Sequence, residues 1–187
     1  DLAGGSNLVS FYVLLDDPSI ENVLSPITGN ITSVITEGSA ANYLDPLGWI
    51  GSLEEFSYGD GYWFILESDA MLEVSGHSIM PDYQYDLNNG ANLISFSSEG
   101  SMDLSSAIPD DVEDLFSAIL GEGSAAMNTE SGWMGTLNSF DGGSGYWVII
   151  SEDLSFSYQL DGLTRSEIRP YVEVLPTGRE FEVTQSP

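Results

Sequence analysis

The stretch Gly5-Ser-Asn-Leu-Val-Ser-Phe11 decides the fold, because it returns 85 residues later as Gly90-Ala-Asn-Leu-Ile-Ser-Phe96. Other segments recur in the same order at nearly the same spacing: Glu37–Ala41 as Glu122–Ala126, Gly48–Leu53 as Gly132–Leu137, and Gly59–Ile65 as Gly143–Ile149. Ordered recurrence of this kind is the signature of an internal duplication. We therefore expect two copies of one unit, at residues 1–88 and 89–162, and a C-terminal segment at 163–187 that has no counterpart.

Each copy has the pattern of a mostly β unit with one short helix. A helix is predicted after Asp17-Pro18, since an N-cap aspartate followed by proline favours a helix start. β-Branched, aromatic or alternating apolar runs predict the strands. These runs are residues 7–15, 31–36, 61–66 and 71–74 in the first copy, and 92–96, 116–120, 145–150 and 154–158 in the second.

The size of one copy predicts that the two copies depend on each other. A unit of this length buries too little surface to be more than marginally stable alone. We therefore expect a mainly β fold in which two pseudo-symmetric copies form a shared β-sandwich or barrel-like core. Residues 171–175 and 180–184, which alternate across Pro176-Thr-Gly178, predict an additional C-terminal hairpin.

The charge of the chain excludes several classes of partner and cofactor. The 187 residues carry 30 Asp and Glu against 3 Lys and Arg, a formal net charge of −27. All of the positive charge is arginine, at Arg165, Arg169 and Arg179. Nucleic acid is a poor partner for such a surface. The absence of cysteine excludes disulfides and cysteine-ligated zinc or iron–sulfur centres.

The same composition suggests a location outside the cell. No apolar run approaches the ~20 residues of a transmembrane helix. An almost purely anionic surface is tolerated best where salt or divalent cations screen it. We therefore expect a secreted or cell-surface protein without a transmembrane segment, of which this chain is a mature or excised portion.

The joint motifs carry a family resemblance. Gly-x-Asn-Leu-(Val/Ile)-Ser-Phe, Gly-Trp-(Ile/Met)-Gly-(Ser/Thr)-Leu and Gly-x-Gly-Tyr-Trp-(Phe/Val)-Ile occur in both copies. Over about residues 5–160 the chain resembles the tandem "GWNLIS…GYWV" repeat of exported, often marine, bacterial surface proteins. Ser6 and Ala91 stand where that repeat has its first tryptophan. The resemblance implies an accessory, non-catalytic module and supplies no catalytic residues.

The recurring aromatic residues have two interpretations. Core packing is the simpler one, because aromatic side chains dominate buried area in β units. The alternative is a sugar-stacking platform in a carbohydrate-binding module. Successive residues of a strand point to opposite faces, so with Trp63 and Trp147 inward, Tyr62 and Tyr146 become the outward ligand-binding candidates.

Catalytic signatures are weak. Gly121-Glu-Gly-Ser-Ala-Ala126 matches a dinucleotide-binding pattern, but no βαβ context surrounds it and a turn between strands is expected instead. His77, the single histidine, lies at the junction between the copies and is interpreted as a linker residue. We therefore predict that the chain is not an enzyme and requires no cofactor.

Calcium is the one ion that this composition favours, because it takes oxygen ligands from clustered carboxylates. No cluster has the order of an EF-hand loop, and several also have a helix-start explanation. The candidate ligands are Asp110, Asp111, Glu113 and Asp114.

These observations predict a non-catalytic structural, spacer or adhesion module of a larger exported protein, whose partners are other domains or copies of that protein. One alternative is a subunit of a secreted filament or surface layer, joined through the C-terminal segment and assisted by calcium. Another is a module that binds glycans.

Overall fold

A computed structural model describes residues 1–160 of the chain. The first copy contains β1 (Gly5–Ser10), β2 (Val13–Leu14), α1 (Ile20–Leu24), β3 (Ile31–Thr36), β4 (Ser39–Leu44), β5 (Gly48–Gly51) and β6 (Gly61–Leu66). A connection containing β7 (His77–Ser78) leads to β8 (Tyr85–Leu87). The second copy continues with β9 (Gly90–Ser95), β10 (Ser101–Asp103), α2 (Leu104–Ala107), β11 (Phe116–Gly121), β12 (Ser124–Thr129), β13 (Gly132–Gly135), β14 (Ser139–Asp141), β15 (Gly145–Ile150) and β16 (Leu154–Phe156).

The two copies have the same topology. The first forms a five-stranded antiparallel sheet in the order β1-β6-β3-β4-β5. The second forms a sheet in the order β9-β15-β11-β12-β13, in which every strand is the sequence counterpart of its equivalent in the first. The prediction of a mainly β fold with a short helix in each copy is confirmed.

Alternation along the strands explains how each sheet builds a core. In β6, Tyr62, Phe64 and Leu66 are buried on one face of the first sheet. That face is covered by α1, whose Ile20, Val23 and Leu24 are buried against it. The helix starts at Ser19, whose hydroxyl accepts from the amide of Asn22, and not at Asp17 as the sequence suggested.

The interior is divided into two cores and is not shared between the copies. One hydrophobic cluster is drawn from residues 11–66 and the other from residues 85–160. The predicted shared core is therefore wrong in detail. The two cores are separate because each sheet is covered by elements of its own copy, namely the short helix and the loop before the last strand. Neither sheet therefore needs the other to bury its apolar face.

The boundary between the copies also differs from the predicted one. Tyr85 and Leu87 pack in the second core, and β8 pairs with β16. The first copy has the matching pairing, a bridge between Leu2 and Ala70. The second core therefore already includes Tyr85, four residues before the start at 89 that the sequence predicts.

The remaining secondary-structure predictions have mixed outcomes. Strands β6 and β15 have the predicted bounds, residues 61–66 and 145–150. Residues 71–74 form no strand, because apart from the bridge at Ala70 this segment has no strand partner among the described residues. The hairpin predicted at residues 171–184 lies outside the described part of the chain.

Candidate functional site

The seam between the two copies is the place where the recurring motifs meet. The amide of Ser10 donates to the carbonyl of Gly143 over 2.8 Å, and the amide of Ser95 donates to the carbonyl of Gly59 over 3.1 Å. Ser10 and Ser95 are matched positions, as are Gly59 and Gly143, so the two bonds are related by a pseudo-two-fold axis. Isolated β-bridges between Val9 and Ser144 and between Ile94 and Asp60 follow the same symmetry.

Two glutamates hold this seam reciprocally. The side-chain Oε2 of Glu122 accepts from the backbone amide of Leu8 over 2.9 Å, and Oε2 of Glu37 accepts from the amide of Leu93 over 3.1 Å. Leu8 and Leu93 belong to β1 and β9, which are edge strands, so their outward amides have no partner strand within their own sheets. Each copy therefore satisfies an edge amide of the other, which also blocks strand pairing with another chain at that edge.

The same glutamates explain the unchanged recurrence of Glu-Gly-Ser-Ala-Ala. Glu37-Gly38 and Glu122-Gly123 are the two-residue turns of the β3-β4 and β11-β12 hairpins. The expected turn at Gly121–Ala126 is therefore confirmed. The bond from the glutamate to the other copy was missed. The sequence did contain a signal for this bond, namely that the glutamate is the same in both copies. A tight turn needs the glycine but not the acid, so the glutamate must serve another purpose.

Two glycines make the close approach at the seam possible. A Cβ on Gly145 would lie 2.8 Å from the carbonyl oxygen of Val9 and 3.1 Å from Cδ1 of Leu8. A Cβ on Gly61 would lie 2.8 Å from Cδ1 of Leu93. The contact with the Val9 carbonyl is too short for a side chain, so the other copy requires glycine at position 145. At Gly61 the nearest atom is the flexible end of Leu93, and the Ile94 carbonyl oxygen lies 3.0 Å away, so the approach is close but less strict.

Clefts flank the seam on both sides. One has a volume of about 450 Å³ and is lined in part by Asn7, Leu8 and Glu122. The other has a volume of about 520 Å³ and is lined by the matched residues Asn92, Leu93 and Glu37. They are the pseudo-symmetric counterparts of each other. Each cleft is lined by peptide groups, apolar side chains and the glutamate that accepts from a leucine amide of the other copy. The remaining lining residues differ between the two clefts.

The main asymmetry of the seam is Asp60, which lines the second cleft where the first has Ser144. Asp60 is exposed, but partial desolvation by the surrounding chain is the main cause that raises the pKa of its carboxyl above the usual range. The negative charge of Glu37 adds to that rise of the pKa, while hydrogen bonds from Ser57 and Tyr62 oppose it.

The predicted ligand-binding tyrosines are not on the surface. Tyr62 is 0% exposed and Tyr146 is 2% exposed, so the prediction that they face outward to stack on sugars is wrong. Each phenol closes a loop instead: the Tyr62 hydroxyl accepts from the amide of Ser57 over 2.8 Å, and that of Tyr146 accepts from the amide of Asp141 over 2.7 Å. Desolvation by burial raises the pKa of both phenols.

The tryptophans take the opposite face from the one proposed. Trp63 and Trp147 are half-buried and lie on the side of the sheets that faces away from the cores. Trp49 and Trp133 are also half-buried, each packed against the rim of its own core. Strand alternation correctly predicted that Tyr and Trp would point in opposite directions, but which of them is inward depends on which face the helix covers.

The predicted calcium ligands do not converge. Asp110, Asp111 and Asp114 are exposed, and Glu113 Oε1 accepts from Trp133 Nε1 over 2.6 Å. Within residues 1–160 no group of three or more histidine, aspartate or glutamate side chains is arranged to hold a metal ion. The four residues follow one another around a turn and a short 3-10 helix, Glu113–Leu115, which directs their side chains apart.

The single histidine belongs to the connection between the copies. His77 pairs with Leu14 through β7 and β2, and its Nε2 contacts the carboxylate of Asp16. Its carbonyl accepts a hydrogen bond of 2.7 Å from the Tyr58 hydroxyl. The contacts shown for His77 thus tie the connection to the first copy.

Comparison of the chain with models of protein families, with curated proteins and with solved structures finds no match. None of the helices in the described part of the chain is long and apolar enough to cross a membrane.

Proposed function

We propose that this chain is a non-catalytic structural module of a larger exported protein, with a role in spacing or adhesion. The observation that carries the proposal is the use of the recurring motif residues. Asparagine, glutamate, tyrosine and glycine at the matched positions all make contacts that build a copy or join it to the other.

The tyrosine and asparagine of the motifs illustrate this use. Asn7 and Asn92 are buried and bond the backbone of the residue four positions earlier, Ala3 or Asn88, with both ends of their amide. A catalytic motif would instead direct several polar groups at a common point where a substrate atom could lie. Duplication of the motifs supports a spacing role, because the same scaffold is built twice.

The charge of the chain supports the exported setting. The formal net charge is −27, and the described residues contain no lysine or arginine. Mutual repulsion of these carboxylates destabilises the compact state at low salt and is relieved when ionic strength shortens the screening length to about 8 Å or less.

Two measurements test the proposal. The full reading frame of the gene and fractionation of the native host with an antibody should place this chain within a longer polypeptide in the medium or on the cell surface. Detection only in the cytosol would contradict the exported role. A panel of ester, glycoside, peptide and phosphate-ester substrates should react no faster with the folded chain than with the heat-unfolded chain, and a faster reaction would contradict the non-catalytic role.

A second candidate function is a subunit of a secreted assembly. It is favoured by the position of the basic side chains, because Arg165, Arg169 and Arg179 all lie after residue 160, interspersed with glutamates, while residues 1–160 contain no lysine or arginine that could pair with the acids of a neighbouring chain. Electron microscopy of the full chain with and without calcium tests it: ordered filaments or sheets are expected, and monodisperse single particles under both conditions would exclude it.

A further inference from the structure

The methionines of this chain lie mostly at its surface. The chain has five methionines and no cysteine, so methionine supplies all of its sulfur atoms. Four of the five, Met71, Met80, Met127 and Met134, have exposed fractions between 60% and 63%. The fifth, Met102, is 7% exposed. Methionine is among the residue types that are most often fully buried, so this placement is the reverse of the usual one.

Two of the exposed methionines are neighbours on the outer face of the second sheet. Met127 in β12 and Met134 in β13 pair directly across the two strands. The Cβ atoms of directly opposed residues lie about 4.5–5.5 Å apart, so the two side chains start next to each other. Ala126, which alternates with Met127 along β12, is buried in the second core. Both methionine side chains therefore lie on the solvent side of the sheet.

The other two exposed methionines lie in the connection between the copies. Met71 follows Ala70, which forms the bridge to Leu2. The carbonyl of Met80 accepts a hydrogen bond of 3.0 Å from the amide of Tyr83. Neither methionine belongs to either of the two hydrophobic clusters. A chemical change at the sulfur of these two residues therefore disturbs no core.

The first copy shows that the fold does not require methionine at the paired positions. The residues matched to Met127 and Met134 are Asn42 and Ile50, which pair across β4 and β5 in the same way. Asn42 is exposed, and its Oδ1 accepts from the Ser33 hydroxyl over 2.7 Å. A polar oxygen at this place in the sheet is therefore compatible with the scaffold.

An exposed thioether reacts with peroxides. A lone pair of the sulfur attacks one oxygen of hydrogen peroxide, so that an S–O bond forms while the O–O bond breaks. The proton of the transferred hydroxyl passes to the departing hydroxide, and the products are methionine sulfoxide and water. The sulfur loses two electrons and the peroxide gains them. Hydrogen peroxide is neutral, so the net charge of −27 does not repel it as it repels anionic oxidants.

Met102 has the opposite setting. It lies in β10, pairs with Phe140 of β14 and belongs to the second core. Peroxide reaches its sulfur only when this part of the chain opens, so the opening equilibrium limits the rate of oxidation there. A sulfoxide oxygen at this place would enter an apolar environment, which destabilises the folded state.

We propose that Met71, Met80, Met127 and Met134 are oxidation sites for hydrogen peroxide, and that the folded chain consumes one peroxide at each of them without unfolding. The four side chains form an oxidant-consuming surface that leaves the second core unchanged. Oxidation makes the outer face of the second sheet polar at Met127, as the first sheet already is at Asn42. This role goes beyond the proposed structural function and does not depend on it.

Peroxide titration of the full folded chain, followed by intact-mass measurement and peptide mapping, tests the proposal. The mass should first rise by four oxygen atoms, one on each exposed methionine. Met102 should react roughly tenfold or more slowly than these four. The melting midpoint of the four-oxygen species should stay within about 2 °C of that of the untreated chain. The heat-unfolded chain should take up five oxygen atoms at similar rates.

Two variants separate the sites. Met127→Leu combined with Met134→Leu keeps apolar side chains on the sheet, and this variant should take up two oxygen atoms, at Met71 and Met80, with unchanged rates. The matched control, Met102→Leu, should still take up four. Circular dichroism confirms that both variants are folded. Oxidation of Met102 in the folded wild-type chain as fast as that of the other four would overturn the assignment. A larger fall of the midpoint in the four-oxygen species would show that the fold does not tolerate this oxidation.

Discussion

At the scale of single residues, the polar side chains of the motifs serve backbone groups. Asn92 Oδ1 accepts from the amide of Asn88 over 2.9 Å, and its Nδ2 donates to the Asn88 carbonyl over 2.8 Å. Asn7 repeats this pairing with Ala3 over 2.8 Å in both directions. Each asparagine side chain pairs with the loop before its strand as the backbone of a neighbouring strand would, by accepting one hydrogen bond and donating another. A carboxylate lacks the donor and an alkyl group lacks both, so neither could replace the asparagine.

Removal of a seam glutamate should destabilise the fold. Glu122→Ala leaves the amide of Leu8 without its 2.9 Å partner, and an unsatisfied, partly buried amide costs about 1–3 kcal/mol. Urea unfolding followed by fluorescence measures the change. Glu130→Ala, at an exposed turn position, is the control and should change the free energy of unfolding by less than about 0.5 kcal/mol. Equal effects of the two variants would contradict the role of the seam bond.

Asp60 gives the stability a pH dependence with a defined sign. Because folding raises the pKa of its carboxyl, the stabilising contribution of the protonated group is present below the unfolded-state pKa and is lost as pH rises through the folded-state pKa. At neutral pH the ionised group therefore opposes folding.

Asp60→Ser, which copies Ser144 at the matched position, should consequently raise the melting temperature at pH 7. The gap from wild type should narrow as the pH falls towards about 3, where the carboxyl is protonated. Asp114→Ser, at an exposed site, controls for the loss of one negative charge. A constant gap between D60S and wild type across this pH range would show that partial desolvation of the Asp60 carboxylate is not the cause.

At the scale of elements, strand pairing at the outer edge of each sheet ends at a glycine. In the β4-β5 and β12-β13 hairpins, Gly51 and Gly135 lie so close to the neighbouring strand that a Cβ would come within 2.1 Å of the carbonyl oxygens of Ala40 and Ala125. Those carbonyls accept from two successive amides, Ser52 and Leu53 in the first copy. The chain is thereby turned from the sheet edge towards the core, where Leu53 is buried.

The close approach of the two copies at Gly145 predicts that one added methyl group destabilises the fold. Gly145→Ala would place a Cβ 2.8 Å from the Val9 carbonyl, and overpacking of this kind costs about 1–3 kcal/mol. Thermal unfolding should show a lower midpoint for G145A. Gly29→Ala, where nothing lies within 4 Å of the added carbon, should be neutral or slightly stabilising. A loss of stability in G29A as large as in G145A would mean that the seam contact is not responsible.

At the scale of the whole molecule, two cores are joined by a polar seam and wrapped in negative charge. The seam consists of peptide hydrogen bonds, two glutamate caps and the leucines Leu8 and Leu93, which belong to neither hydrophobic cluster. Apolar burial therefore stabilises the seam only in part, and repulsion between the carboxylates of the two copies opposes their association across it.

Ionic strength should accordingly raise stability. With a net charge of −27, the melting temperature should increase from about 0.01 M to 0.5 M sodium chloride, as the Debye length falls from about 30 Å to about 4 Å. Differential scanning calorimetry gives the midpoint and shows whether the two copies unfold together. Choline chloride at the same concentrations controls for specific sodium binding. A midpoint that is unchanged or falls with salt would contradict the dominance of self-repulsion.

The sequence by itself determined the duplication, the β class and the bounds of β6 and β15, because these follow from recurrence and from local alternation of side chains. It also placed Tyr and Trp on opposite faces of those strands. Only the tertiary structure decided which face is buried, since α1 and α2 cover one side of each sheet and alternation is the same from either side. The division into two cores, the reciprocal bonds of Glu37 and Glu122, and the open face around Met127 likewise depend on contacts between residues far apart in the chain, which no local pattern encodes.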